Sequence, residues 1–201
     1  MTPRPRSFDE NVALSRAKDI FWQKGFEATS MQNLVDHMQI GRQSLYNTFG
    51  DKHTLYMRAL KLYDETSHDE ALGRLSEESA GLEAIKSFLG DIVIGLSSQD
   101  DRRACFLINA ILELAPRDEE VRAVGVNFRD KLVAALERAL SHARLRGELS
   151  EDINPGRKAK SLAHMAMGMS VTWKAGGTPE ELRLVVDDAL EALHPTAPVN
   201  A

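Results

Sequence analysis

Cysteine is almost missing from this sequence: Cys105 stands alone among 201 residues. That excludes an intrachain disulfide framework and any cysteine pair at metal-ligand spacing, and it fits a reducing cytoplasm. Long apolar runs are lacking too. No stretch approaches the roughly 18 apolar residues that a membrane-spanning helix needs, so no membrane partner is expected. The opening segment MTPRPRSFDE is polar and has no apolar core of the signal-peptide kind. A cytoplasmic localisation is the expectation. Glycine and proline number only 13 and 7 and fall at apparent helix ends. Long β-branched runs are scarce, so the fold class expected is all-α.

Signatures of catalysis are absent as well. His37, His53, His68, His142, His164 and His194 include no two on one helix face at metal-ligand spacing in a recognisable motif. Neither a phosphate-cradling glycine loop nor a nucleophile elbow occurs. The expectation is a protein with no metal, no cofactor and no catalytic residues, not an enzyme. With 43% hydrophobic residues the chain has enough apolar material for one large domain or two small ones.

What is present centres on Gly41 to Tyr56, GRQSLYNTFGDKHTLY, which follows TSMQNLVDHMQI across a glycine turn. Two short helices meeting at such a turn make a helix-turn-helix, whose second helix enters the DNA major groove. If Arg42 to Phe49 is helical, Leu45 and Phe49 share the core face and Gln43 and Asn47 point away from it. Ser44 and Tyr46 flank that outward face, and Arg42 and Thr48 lie at its edges. Amides pair with adenine edges, and Arg pairs with guanine or holds a phosphate. Asp51 is placed to cap the next helix, with Lys52 positioned to neutralise a backbone phosphate. The same spacing equally fits a solvated polar face on an ordinary helix.

The run from Phe8 to about Tyr63 resembles the DNA-binding domain of the TetR family of bacterial transcriptional repressors. The matching pieces are AKDIFWQKGFEATSMQNLVDHM, IGRQSLYNTF and DKHTLYMRAL. The resemblance implies base or groove contacts from Arg42, Gln43, Ser44 and Tyr46, and phosphate contacts from Thr29, Ser30, Thr48 and Lys52. It also implies a base contact from Gln32 on the preceding helix. Gln43 departs from the small residue common there, and Asn47 and Thr48 replace the more usual aromatic and His. These departures bear on the operator sequence rather than on DNA binding.

The charge distribution agrees with a small reading head on an acidic body. The net charge is -5, but residues 1 to 60 hold 8 Lys and Arg against 6 Asp and Glu, and the remainder 17 against 24. Residues 1–51 are expected to form the DNA-binding domain, and residues 52–201 a helical effector-binding and dimerisation domain. Arg4 and Arg6, kept out of helix by Pro3 and Pro5, read either as a DNA-touching arm or as a loose tail.

Along the body the pattern predicts a fourth helix from Lys52 towards Ser76, a restart after Gly81, and a turn over residues 97–103. A helix is then expected just after Asp100 or Asp101, ending before Pro116. Cys105 would lie in its first turns beside Arg102 and Arg103, which favours a reactive thiolate; alternatively it is a small buried hydrophobe. The segment also resembles a branch of the family carrying Cys in this setting, some of whose members respond to electrophiles or oxidants. Lys174 is expected to approach Cys105 or else to sit on the surface at its helix end. A long helix to Arg146, one from Pro155, and a last one capped by Thr178 and ending at His194-Pro195 complete the chain. Met165, Met169 and Trp173 form a stripe that reads as pocket, interface or core. The resemblance implies that the last two helices pair with a second copy, for which Leu182, Val185, Val186, Ala189, Leu190 and Leu193 give an apolar face. Phe88, Asn109, Glu113, Met165 and Trp173 are candidates for lining a small-molecule effector pocket.

The function expected is an effector-released transcriptional regulator, a repressor binding a palindromic duplex operator as a homodimer. The alternative is release by modification or oxidation of Cys105. Ranked below these is a helical enzyme or interaction protein that does not bind DNA.

Overall fold

The computed structural model describes residues 8–67, 69–98 and 101–193, and every regular element in them is an α-helix. The first three are α1 (Glu10–Lys24), α2 (Met31–Met38) and α3 (Arg42–Phe49). Local signals set their ends. The Asp9 carboxylate accepts from the N–H groups of Asn11 and Val12, and Ser30 and Asn33 cap each other reciprocally at the start of α2. Ala17, Phe21, Leu34, Met38, Leu45 and Phe49 fill the space between these helices and are buried.

The turn between α2 and α3 differs from the glycine turn expected. The left-handed residue is Gln39 (φ 57), whereas Gly41 has φ -66 and serves as the N-cap of α3. A Cβ at Gly41 would meet only the Ser44 hydroxyl, at 3.9 Å. Arg16 makes the strained Gln39 worthwhile: its guanidinium donates to the Met38 carbonyl and to Gln39 Oε1.

Next come α4 (Lys52–Ser67), α5 (Asp69–Leu75) and α6 (Leu82–Ser97). Helix is found over both described parts of the run expected to form a fourth helix from Lys52 towards Ser76. The Thr66 hydroxyl donates back to the Leu62 carbonyl, and Leu72 and Leu75 of α5 are buried in the core. The remaining helices are α7 (Phe106–Leu114), α8 (Glu119–Leu145), α9 (Pro155–Lys174) and α10 (Pro179–Glu191). Asp118, Asn154 and Thr178 cap the last three through their side chains. Here α8 and α9 run side by side, α10 lies on α6, and α7 is held between α8 and α4.

The start of α7 is a further correction. No helix begins after Asp101, because Arg102 (φ 51) and Ala104 (φ 58) are left-handed and the Asp101 carboxylate accepts from the Arg103 N–H and Nε. Cys105 is the N-cap of α7. No helix of the described residues is long and apolar enough to cross a membrane. The expectations for Arg4, Arg6, His68, the helix end at His194-Pro195 and the tail TAPVNA fall outside the described residues.

Candidate nucleic-acid interface and its tie to the body

Leu45 and Phe49 anchor α3 to the head core, and the opposite side of that helix is open. Arg42, Gln43, Tyr46 and Asn47 are exposed there, while Ser44 and Thr48 are half-buried at its edges. Tyr46 keeps 41% of its surface exposed, uncommon for so large an aromatic on a packed helix. Gln43 Nε2 donates to Asn47 Oδ1 at 2.9 Å, one turn on. Ser30 and Gln32 are exposed on α2, Ser30 at its N-terminus and Gln32 hydrogen-bonded to Asp36. Lys52 is half-buried with its ammonium 4.3 Å from the centre of the Phe26 ring, at the start of α4. Asp51 caps that helix, accepting from the Thr54 N–H at 2.7 Å.

Thr29 does not join this surface. It is fully buried and its hydroxyl donates to the Gly25 carbonyl at 2.6 Å, so the side chain is closed to a phosphate.

Behind the surface, residues 103–118 of the body grip the head. The Glu113 carboxylate accepts from the N–H groups of Phe26 (3.0 Å) and Glu27 (2.8 Å), closing the turn between α1 and α2. The Trp22 indole N–H donates to the Ala104 carbonyl at 2.8 Å, beneath the Arg103 guanidinium. Arg117 pairs with Glu27, and within the body His53, at the start of α4, meets Asp118 at 2.7 Å. None of these partners was foreseen from the sequence.

Asp118 therefore has two tasks. The Val121 N–H, and secondarily His53, hold its carboxyl below the ordinary 3.8. A depressed carboxyl pKa adds stability that is present above the unfolded-state value and lost as pH falls through the folded one. Asp118→Asn should accordingly melt earlier than the wild type at neutral pH, with the gap closing below about pH 4. A gap that stays constant in melts down to acid pH would contradict this account.

The body holds a cavity of about 220 Å³ whose walls include Tyr63, Phe88, Asp91, Cys105, Ile108 and Ser170. Burial pushes the Tyr63 phenol well above its ordinary range, and the Cys105 thiol beside it adds to the shift. Of the five pocket candidates only Phe88 lines this space. Asn109 instead bridges the Arg103 carbonyl and the Lys174 ammonium, and Glu113 serves the head. Trp173 is buried under Arg102, whose guanidinium lies 4.3 Å from its ring, and Met165 is packed on the core. Lys174 does not border the Cys105 cavity; with Trp22, Lys24, Asn109 and Glu113 it lines a second one, of about 360 Å³, at the head–body junction. There Tyr56 has a buried hydroxyl with no partner among the described residues.

Comparison with known proteins accounts for both halves. Residues 13–59 match "Bacterial regulatory proteins, tetR family", and residues 81–188 match "Tetracyclin repressor-like, C-terminal domain". The uncharacterized HTH-type transcriptional regulator YezE of Bacillus subtilis (strain 168) is 31% identical over 191 residues, covering 94% of this chain and 98% of its own. The HTH-type transcriptional repressor ComR of Escherichia coli (strain K12) is 27% identical over 190 residues, covering 93% and 90%. A cysteine-substituted form of the TetR family regulator CifR, solved with a 26-base-pair operator duplex, superposes with a TM-score of 0.83 at 30% identity, covering 94% of this chain and 99% of that one. The chain is thus a DNA-binding transcriptional regulator and belongs to the TetR family.

Proposed function

We propose that this protein is a cytoplasmic, dimeric repressor whose two heads occupy successive major grooves of a near-palindromic operator and let go when an effector enters the body. The observation that carries the reading is the exposure of Arg42, Gln43, Tyr46 and Asn47 on a helix anchored by Leu45 and Phe49. Ser30, Gln32, Ser44, Thr48 and Lys52 extend the same surface to phosphates and groove walls. Residues 1–51 act as the reading domain and residues 52–201 as the effector and dimer domain. No step of this reading calls for catalysis.

Dimerisation through the last two helices is supported by an apolar outward face. Leu182, Val186 and Leu193 are used up in the core, but Val171, Leu184 and Val185 stay exposed, beside the exposed small residues Gly168 and Ala175.

The cavity's chemistry narrows the effector. Among the described residues no Lys, Arg or His lines it, and the one acid that does, Asp91, already pairs with Arg74. An ionised ligand would lose hydration without gaining a partner, so the fitting effector is compact, largely apolar and uncharged. The lever is α7: Cys105 and Ile108 form part of the cavity wall, and Glu113 on the same helix holds the head. An effector releases DNA only if it binds the displaced position of α7 more tightly.

The Cys105 thiol at the cavity wall supports a second reading, in which an electrophile adds to its sulfur and the adduct displaces α7. One experiment addresses both. Selection from random duplexes should enrich a palindrome, with affinity falling steeply as salt rises. Treatment with N-ethylmaleimide should then release DNA from the wild type and spare Cys105→Ser if the covalent reading holds. Equal behaviour of the two leaves the reversible effector, and no enrichment at low salt overturns the repressor reading.

A further inference from the structure

We infer that Gln43 reads an adenine in each operator half-site and that Asn47 orients it for that purpose. The inference rests on the reading of α3 as the groove helix. Both amides are exposed on the side opposite Leu45 and Phe49, and they are joined by the 2.9 Å bond from Gln43 Nε2 to Asn47 Oδ1. That single bond decides what each amide has left to offer.

A primary amide has two N–H donors and one carbonyl oxygen. With one Nε2 proton given to Asn47, Gln43 retains a second proton and a wholly unused Oε1. A donor beside an acceptor on one planar group is the complement of adenine in the major groove, where N7 accepts and the N6 amino group donates. Asn47 is left differently: one lone pair of its Oδ1 is engaged and its Nδ2 carries two free donors. Its donors suit a neighbouring acceptor such as guanine O6 or N7, or thymine O4. The bond also removes much of the rotamer freedom that a long exposed Gln would otherwise surrender on binding, since both ends of the pair are fixed to the same rigid helix. A phosphate role fits less well, because Gln43 is neutral and lies on the middle of the open face, with the cation of Arg42 beside it.

The contact differs from a generic polar one because a single atom of the base should govern it. Duplexes enriched by selection on the full-length protein would be remade with each adenine in turn replaced by 7-deazaadenine, which lacks the N7 acceptor. Titration by fluorescence anisotropy should find one adenine per half-site whose replacement weakens the wild type about tenfold or more, the size of a good bidentate base contact. Gln43→Ala should bind the unmodified duplex more weakly and be indifferent to the same replacement. Gln43→Glu, an acceptor without a donor, should shift the preference at that position towards cytosine, whose N4 amino group donates. If Gln43→Ala remains as sensitive as the wild type at every adenine, or Gln43→Glu keeps the wild-type preference, the inference is wrong although the protein binds its operator. Failure to enrich any palindrome would instead remove the groove-helix reading beneath it.

Discussion

Glu113→Ala should uncouple the head from the body: operator binding survives within a few-fold, while release by an effector or by thiol modification is largely lost. The carboxylate makes two of the ties across the junction. It accepts two charge-assisted bonds from the backbone of the α1–α2 turn, at 3.0 and 2.8 Å. Bonds of this kind are each worth about 1.5–3 kcal/mol when buried. The Glu27 N–H is near solvent and water would replace its partner, so the whole loss should be about 1–3 kcal/mol, measurable by denaturant unfolding. The Arg117–Glu27 pair has both side chains more than half exposed, which puts it in the range of roughly 0–1 kcal/mol. It cannot stand in for Glu113.

Gly25 gives an independent handle on the same contact. It has φ +83, and a Cβ there would lie 2.8 Å from Glu113 Oε2. Gly25→Ala should therefore push the carboxylate aside and reproduce the uncoupling with Glu113 still in place. Retention of a full release response by both variants would mean that the body signals through the Trp22–Ala104 contact instead.

The residues of this junction explain what the sequence did and did not reveal. Features with a range of three or four residues were legible: the Leu45 and Phe49 spacing, the caps at Asp51, Asn154 and Thr178, and the outward set on α3. The resemblance gives Thr29 a phosphate contact, but the Gly25 carbonyl four residues earlier takes its proton and the site is sealed. On α7 Asn109 and Glu113 are pocket candidates only because they are polar on an apolar helix, and they lie one turn apart on one face. That face looks towards the head, whereas Cys105 and Ile108, nearly a quarter-turn away, look into the cavity. Bulk and polarity do not encode direction. Glu113 meets a partner 87 residues away in the chain and His53 one 65 away, separations at which no periodicity speaks. The left-handed Arg102 and Ala104 were equally hidden, since neither residue type advertises that conformation.

Leu45→Ala and Tyr46→Ala should both abolish operator binding in the nanomolar range, but by opposite routes. Leu45 is fully buried in a head whose core is a handful of side chains, and truncating a buried Leu costs about 2–5 kcal/mol. A three-helix head cannot spread that cost widely, so it should melt or loosen while α6 to α10 stay folded. Circular dichroism should record a partial loss of helix and an early thermal transition, and binding should fall for every duplex tested. Tyr46, the next residue, keeps 41% of its surface exposed and its removal leaves the core intact. Its variant should melt within about 0.5 kcal/mol of the wild type, as surface substitutions do. Its binding loss should be confined to the specific operator, with weak salt-dependent attachment to random duplex retained. Adjacent residues thus separate scaffold from contact, because a step of about 100° along α3 moves a side chain from the core to the groove face. A Tyr46→Ala protein that binds its operator at wild-type strength would take α3 out of the groove, and a Leu45→Ala protein that melts like the wild type would contradict the packing described for the head.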